Sequence, residues 1–205
     1  MATLARRAAS LQAMARETPA GRPTAWWGMV LFITTEATLF GALFVSYFYL
    51  RFRSAPEWPL ARIEEPRLVK PAIMSALLLS SSAPMVWADH AIRRGQTTRL
   101  RLGLALTILL GLCFLGLQGW EYSEKLRQFT PQTNVYGSLF YAITGFHGVH
   151  VIVGLLILSW LLVASLRGRF DAHRHLRVRL GGMYWHFVDG IWVFIMLVVY
   201  LGPHF

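Results

Sequence analysis

Five ionisable side chains lie inside long stretches that otherwise carry no formal charge: Glu36, His147, His150, His186 and Asp189. Their types allow three kinds of chemistry. A carboxyl group and an imidazole can exchange a proton or neutralise each other as a structural pair, and imidazoles can ligate a metal or a haem iron. An ionisable side chain in a membrane-spanning helix costs about 2.5–3.5 kcal/mol by insertion scales. These five residues are therefore the first candidates for function.

The spacing of these residues predicts how they meet. His147 and His150 are three positions apart, as are His186 and Asp189, and residues at this spacing share one face of a helix. Consecutive helices joined by a short loop pack side by side and antiparallel. With a rise of about 1.5 Å per residue, His150 comes level with His186, and His147 comes level with Asp189 and Glu36. We expect one polar cluster, slightly to the inner side of the membrane midplane.

Three interpretations of this cluster remain open at the level of sequence. In the first, which we favour, histidines and carboxylates satisfy each other between helices and fix the packing. In the second, Glu36 takes up and releases protons. In the third, two histidines at matching depth on facing helices ligate a metal or a haem iron. Two histidines three residues apart are a weak signal for the third, because imidazoles paired to carboxylates look identical in sequence.

The elements that must position these residues follow from the composition. Hydrophobic residues make up 55% of the 205 residues and charged residues 15%, and the mean hydropathy is +0.46. Soluble domains average about 45–50% apolar and about 25% charged residues. This composition argues against a soluble protein and against a nucleic-acid binder, in spite of a net charge of +10. Five apolar stretches reach or approach the roughly 20 residues that span a bilayer as a helix. The sequence predicts an all-α integral membrane protein, a bundle of five transmembrane helices at about residues 25–50, 70–91, 101–121, 136–166 and 181–202.

The basic residues predict the orientation, since Lys and Arg are enriched in cytoplasmic segments. Thirteen of the 20 basic residues fall in the N-terminal tail and in the second and fourth loops: Arg6, Arg7, Arg16, Arg22, Arg93, Arg94, Arg99, Arg101, Arg167, Arg169, Arg174, Arg177 and Arg179. We therefore expect residues 1–24 to form a cytoplasmic tail, residues 25–205 to form the transmembrane domain, and the C-terminus to lie outside. Residues 1–22 are also similar in composition to an organellar transit peptide, a reading we favour less.

Aromatic residues fall near the ends of the apolar stretches, where membrane proteins place interfacial anchors. Trp27 opens the first stretch, Trp120 closes the third, and Tyr136 opens the fourth. Tyr184 and Trp185 lie near the start of the fifth. We interpret these side chains as facing lipid.

Four strings, in order, resemble the transmembrane helices of haem–copper oxidase subunit III. They are WWGMVLFITTEATLFGALFVSYFYLR at 26–51, LQGWEYSE at 117–124, YGSLFYAITGFHGVHVIVG at 136–154 and YWHFVDGIWVFIMLVVYL at 184–201. The resemblance covers nearly everything from Trp26 onward. The combination of GFHGVHVIVG with YWHFVDGIW is its most specific part.

The resemblance implies an accessory subunit that binds no haem or copper itself. Such a subunit packs against the catalytic subunit I, which holds the haems and a copper, in a complex with subunit II. The complex is a cytochrome c oxidase of aerobic respiratory electron transport that reduces O2 to water, pumps protons and takes electrons from cytochrome c. Subunit III is expected to stabilise this complex, to support proton uptake and to hold phospholipids, with no nucleic-acid partner.

The resemblance also implies roles for single residues. Glu36 corresponds to the family's carbodiimide-reactive membrane glutamate. The histidines of the family's GFHG-x-HV motif correspond to His147 and His150, and the histidine and aspartate of its WHFVD motif correspond to His186 and Asp189. The glutamate of its EY motif corresponds to Glu121. Arg167 and Arg169, at the inner end of the fourth helix, are candidates for contact with a lipid phosphate.

The long form of this family has two helices before the one that bears the glutamate, whereas only 25 residues precede Trp26 here. We therefore expect the five-helix form typical of many bacteria, in the cytoplasmic membrane. Glu36 favours cytochrome c over quinol as the electron donor. An accessory subunit of a quinol oxidase or nitric-oxide reductase is the close alternative. An autonomous proton or ion transporter is the alternative of another class, disfavoured because the sequence has no internal repeat.

Overall fold

Five long helices make up almost all of the computed structural model, which describes residues 22–54, 58 and 68–204. They are α1 (Thr24–Arg53), α2 (Val69–Arg93), α3 (Thr97–Gln128), α4 (Val135–Leu166) and α5 (Leu176–Ile195). The α5 helix continues as a π-helical turn, Met196–Leu201, and a 3-10 turn, Gly202–His204. All five are long and apolar enough to cross a membrane, and the described residues contain no strand. The predicted all-α bundle of five membrane-spanning helices is confirmed.

Two helices extend beyond their apolar stretches. The α3 helix continues to Gln128, seven residues past the predicted end, and α5 begins at Leu176 instead of about residue 181. The added turns carry charged side chains, among them Lys125 on α3 and Arg177 on α5. A helix keeps its backbone hydrogen bonds when it leaves the hydrocarbon region, so the apolar stretch marks the membrane core and not the helix ends. The predicted N-terminal tail, apart from its last residues, lies outside the described residues.

Glycines end two of the helices. Gly95 follows α2 with a φ of 72°, and Gly168 follows α4 with a φ of 69°. At each, the backbone turns back on the last turn of the helix: the N–H of Gly95 donates to the carbonyl of Ile92, and the N–H of Gly168 donates to the carbonyl of Ser165. A side chain disfavours this left-handed backbone, so glycine is the residue that lets the chain reverse here.

The α5 helix packs against α4, α2 and α1, and α4 packs against α3, α5 and α1, while α2 packs most extensively against α3. The α1 helix is peripheral: of its 30 residues only Phe40 and Tyr47 are buried. The core lies between the other four helices, with Trp185, Trp192 and Phe114 among its largest fully buried side chains.

Several aromatic residues predicted to face lipid are instead buried, and that interpretation is wrong for them. Tyr136 and Tyr184 are each 1% exposed and Trp185 is 0% exposed. The polar atom of each has a partner inside the protein; the Trp185 indole, for example, donates to the Ser81 hydroxyl at 2.9 Å. Trp27 and Trp120, at 54% and 57% exposed, do face outward. An aromatic residue near a helix end suits both a lipid-facing and a buried position. The rotation of the helix about its axis decides which of the two it takes.

Close approach of α2 and α3 depends on Gly103. A Cβ atom built on Gly103 lies 2.7 Å from the Pro84 carbonyl oxygen and 2.8 Å from the Ala88 Cβ. Both are parts of the α2 backbone or fixed directly to it, so a side chain at position 103 forces the helices apart. Small residues at such contacts let helices approach closely in membranes, where packing replaces the hydrophobic effect as the driving force.

We predict that Gly103→Ala destabilises the protein by about 1–3 kcal/mol, because the extra methyl group overpacks the α2–α3 contact. Thermal unfolding of the detergent-solubilised protein measures this effect. The matched control is Gly116→Ala on the same helix, where a Cβ meets nothing within 4 Å. An equal melting temperature for the two variants contradicts the prediction.

Candidate functional site

The carboxyl group of Glu36 on α1 binds the imidazole of His150 on α4. The Glu36 Oε2 and His150 Nε2 atoms are 3.0 Å apart, and the two side chains are 22% and 12% exposed. The other ring nitrogen, Nδ1, lies 2.7 Å from the Phe146 carbonyl oxygen. A carbonyl oxygen only accepts, so Nδ1 carries a hydrogen and donates it. One further proton must therefore lie between Nε2 and Oε2.

This arrangement gives the pair two forms with the same net charge. In one, a neutral imidazole accepts a hydrogen bond from the protonated Glu36 carboxyl group. In the other, an imidazolium donates to the Glu36 carboxylate. The two forms differ only in which atom of the bond holds the proton, and each is neutral overall. With this proton in place, the pair carries no unbalanced charge within the bundle.

Neighbouring rings hold the His150 side chain and backbone in place. The Phe40 ring lies edge-on to the imidazole at a centroid distance of 5.0 Å. The hydroxyl of Tyr184 on α5 donates to the His150 carbonyl oxygen at 3.2 Å. Phe32 on α1 stacks on the Tyr184 ring at 6.1 Å. The pair thus lies where α1, α4 and α5 meet.

A second polar group joins α2 to α5. The hydroxyl of Ser82 donates to the Asp189 carboxylate, and its oxygen lies 3.0 Å from His186 Nδ1. Because Ser82 has one hydrogen and gives it to Asp189, the His186 Nδ1 must donate to the Ser82 oxygen. The serine proton points at the carboxylate and not at the imidazole. This order of donors differs from a nucleophilic triad, in which the histidine accepts the serine proton.

His147 stands apart from both groups. It is fully buried, with its ring 5.8 Å from that of Phe114 and 5.2 Å from that of Trp192. Neither of its nitrogens has a hydrogen-bond partner in the described part of the protein. The hydrogen bonds thus join four of the five intramembrane residues in two groups, Glu36 with His150 and His186 with Asp189, and do not join His147 to Asp189.

The described residues contain no group of three or more His, Cys, Asp or Glu side chains that could hold a metal ion. His150 has both nitrogens engaged, one by Glu36 and one by a backbone carbonyl. Ligation of a haem iron by His150 requires one of those bonds to break.

Glu121 lies near the C-terminal end of α3, in an ion pair within that helix. Its Oε1 is 3.7 Å from Lys125 Nζ, and its Oε2 accepts from the Tyr200 hydroxyl at 3.0 Å. The Lys125 ammonium lies 4.9 Å from the centre of the Phe140 ring. Glu121 and Lys125 are 4% and 12% exposed. This group ties α3 to the π-helical turn that follows α5.

Arg167 and Arg169 are both exposed, in the turn between α4 and α5. Arg169 lines a pocket of about 370 Å3 together with Phe170, Arg174, Leu176 and Arg177. Arg167 is not among the residues that line it. The two predicted lipid-phosphate candidates therefore differ in their surroundings.

The sequence did not point to the side chains that bind the candidate residues. These are above all Ser82, which binds Asp189, and Lys125 and Tyr200, which bind Glu121. The serines of α2 were noticeable only as small residues suited to close packing. Lys125 and Tyr200 lie 75 positions apart in the sequence, so no local spacing relates them. The signal for Lys125 was its position four residues after Glu121, one turn along a helix.

We predict that Ser82→Ala lowers the free energy of unfolding by about 1–3 kcal/mol, because the nearly buried Asp189 carboxylate loses its donor. The matched control is Ser80→Ala on the same helix, since the Ser80 hydroxyl is exposed and bonds only to the Leu77 carbonyl. Thermal unfolding of the solubilised protein compares the two. If the Ser80 variant melts as low as the Ser82 variant, the bond to Asp189 is not the cause.

Comparisons with known proteins identify the family. The sequence profile of the family described as "Cytochrome c oxidase subunit III" matches residues 9–203. The chain is 39% identical over 180 residues to "Cytochrome c oxidase subunit 3" of Pisaster ochraceus and to that of Cyprinus carpio, covering 85% of this chain and 68% of each relative. It is 37% identical over 179 residues to that of Drosophila yakuba, with the same coverage. The chain, with its intramembrane Glu36–His150 and His186–Asp189 groups, belongs to the cytochrome c oxidase subunit III family.

Proposed function

We propose that this chain, an accessory subunit III of a haem–copper oxidase, stabilises the catalytic subunit and supports proton uptake. The observation that carries the assignment to the oxidase is the family match across residues 9–203. The complex catalyses the oxidase reaction, and this chain contributes no catalytic residue. Its cofactor-free character is typical of the family, so haem and copper belong to partner subunits.

The surface of α1 supports a role inside a larger membrane complex. Most of its side chains are exposed, including Leu31 at 66%, Val45 at 68% and Phe52 at 88%. Such an apolar surface must meet lipid or another membrane protein. We propose that the partners are oxidase subunits I and II, with membrane lipids covering the remainder. Cytochrome c is the proposed electron donor of the whole complex.

The Glu36–His150 pair supports a role in proton uptake. With the shared proton in place the pair is neutral, its release leaves a net charge of −1, and its uptake restores neutrality, so the membrane-embedded pair favours the proton-loaded state. It also fastens the peripheral α1 helix to α4. We propose that both properties matter: the pair positions α1, and it buffers protons next to the catalytic subunit.

The distribution of basic residues supports an orientation with the N-terminus in the cytoplasm. Exposed arginines lie in the turn after α2 (Arg94), at the start of α3 (Arg99) and in the turn after α4 (Arg167 and Arg169). Turns rich in arginine stay on the cytoplasmic side when helices insert. We propose a multi-pass subunit of the bacterial cytoplasmic membrane in this orientation.

We predict that a tagged form of this chain, extracted in mild detergent, co-purifies with larger membrane subunits and with haem. Visible absorption spectra and mass spectrometry of the purified material measure this. The same extract carrying the untagged chain is the control for nonspecific retention. Purified chain without haem absorbance and without larger subunits contradicts the oxidase assignment.

We predict that Glu36→Gln abolishes most carbodiimide labelling of the chain but leaves assembly with its partners intact. Carbodiimides react with carboxyl groups, which the glutamine lacks, while its amide still donates to His150 Nε2 and keeps the α1–α4 contact. The control is Asp189→Asn, which removes a carboxyl group that is only 6% exposed and should leave labelling unchanged. Undiminished labelling of the Glu36 variant shows that the reactive group lies elsewhere.

A further inference from the structure

We propose that the exposed face of α5 binds a transmembrane helix of a partner subunit, which presents a polar side chain to His186. This face, which we name the α5 groove, consists of His186, Gly190 and Val193 on α5 and Leu197 in the turn that continues it. The inference rests on the proposed function in taking the partner to be another subunit of the oxidase. It adds the face of the bundle at which that partner lies and the hydrogen bond by which it is recognised.

The α5 groove runs between α1 and α2. Its four residues are three or four positions apart, so they share one face of the helix. On one side of this face, Asp189 bonds to Ser82 of α2. On the other side, the ring of Phe194 lies 6.2 Å from the ring of Phe44 on α1. In the described part of the chain, α1 and α2 do not pack extensively against each other, so the face of α5 between them is open.

Gly190 leaves room in the floor of the α5 groove. It is exposed, and a Cβ atom built on it meets nothing within 4 Å. Val193 and Leu197, on the same face, are apolar and exposed. A small residue in an apolar surface lets the backbone of another helix approach closely inside a membrane. The groove is therefore suited to pack a helix.

The imidazole of His186 has one nitrogen without a partner. Its Nδ1 donates to the Ser82 oxygen at 3.0 Å, whereas Nε2 makes no hydrogen bond to any residue that the structure describes. The side chain is 38% exposed, and it lies about 15 Å along α5 from the start of the helix at Leu176. The hydrocarbon at this depth offers neither a donor nor an acceptor, and lipid head groups stay at the membrane surface. Lipid therefore leaves Nε2 unsatisfied.

Exposed hydroxyl groups elsewhere on the spanning helices need no outside partner. They donate to carbonyl oxygens of their own helix, three or four residues earlier, at Thr34, Thr35, Thr38 and Ser46 on α1 and at Ser80 on α2. The planar ring of His186 has its second nitrogen directed away from Nδ1 and from Ser82. A hydroxyl or amide group both donates and accepts, so it satisfies Nε2 in either protonation state of the imidazole. The partner helix therefore carries a serine, threonine, asparagine or glutamine at the depth of His186.

The first test uses the purified oxidase that contains this chain, with the photo-crosslinking residue p-benzoylphenylalanine in place of Leu197. The matched control carries the same residue in place of Leu109 on α3, since the two leucines are 54% and 57% exposed. We expect position 197, and not position 109, to cross-link to another subunit, as identified by mass spectrometry. Cross-linking of position 197 only to lipid or to a second copy of this chain overturns the proposal, as does equal cross-linking from both positions.

The second test removes the hydrogen bond to the partner and keeps the bond to Ser82. In His186→Asn the amide still donates to Ser82, but the side chain has no group at the position of Nε2. The fraction of this chain that stays on its partner subunits through detergent washing should fall at least about threefold. Ser80→Ala on α2 is the control and should leave this fraction unchanged. Equal retention of the two variants overturns the proposal.

Footprinting of the unsubstituted oxidase with diethyl pyrocarbonate keeps the test decisive if a variant fails to assemble. This reagent acylates imidazole nitrogens that are not engaged. We expect His186 to react more slowly in the intact oxidase than in the chain released by stronger detergent, while the exposed His90 reacts equally in both. The buried His147 should remain unmodified, which shows that the released chain keeps its fold. Equal reaction of His186 in the two samples overturns the proposal.

Haem absorbance and co-purification of larger subunits are measured on the same samples. If both persist while the α5 groove cross-links only to lipid, this inference fails and the oxidase assignment stands. If both are absent, the oxidase assignment itself fails.

Discussion

A carboxyl group inside a membrane must find its hydrogen-bond donor within the protein, because the hydrocarbon offers none. Three carboxyl groups of this chain meet that demand with a side chain from another helix. Glu36 on α1 binds His150 on α4, Asp189 on α5 binds Ser82 on α2, and Tyr200 in the turn after α5 binds Glu121 on α3. Every one of the five helices takes part. The polar groups therefore fix how the helices are arranged, where apolar side chains alone allow many rotations.

Polar atoms in the packed core also need hydrogen-bond partners within the protein. The indoles of Trp185 and Trp192 need acceptors, and they find the hydroxyls of Ser81 and Ser75 on α2, each at 2.9 Å. Large rings fill the space between α2, α4 and α5, while Gly103 lets α3 lie directly against α2. The helices α2, α3, α4 and α5 form the packed core, and α1 lies at its periphery. Since α1 buries little of its own surface, its apolar face suits contact with other parts of the oxidase and with lipid.

An accessory role agrees with this division between a firm core and an exposed helix. The Glu36–His150 group and the Ser82–Asp189–His186 group are each hydrogen-bonded between two helices. The partly exposed Glu36–His150 bond lies at the junction between α1 and the core.

The amino-acid sequence by itself determined the class of the protein, the number of spans and the ionisable residues inside them, since each depends on local composition. It also predicted that histidines pair with carboxylates, because isolated charges are too costly in a membrane. It did not determine that Glu36 binds His150, that His147 has no hydrogen-bond partner among the residues the structure describes, or that Tyr184 and Trp185 are buried. Those outcomes depend on how each helix rotates about its axis, and periodicity leaves that rotation undetermined. Only tertiary packing decides it, through contacts between residues as far apart in the sequence as Glu36 and His150.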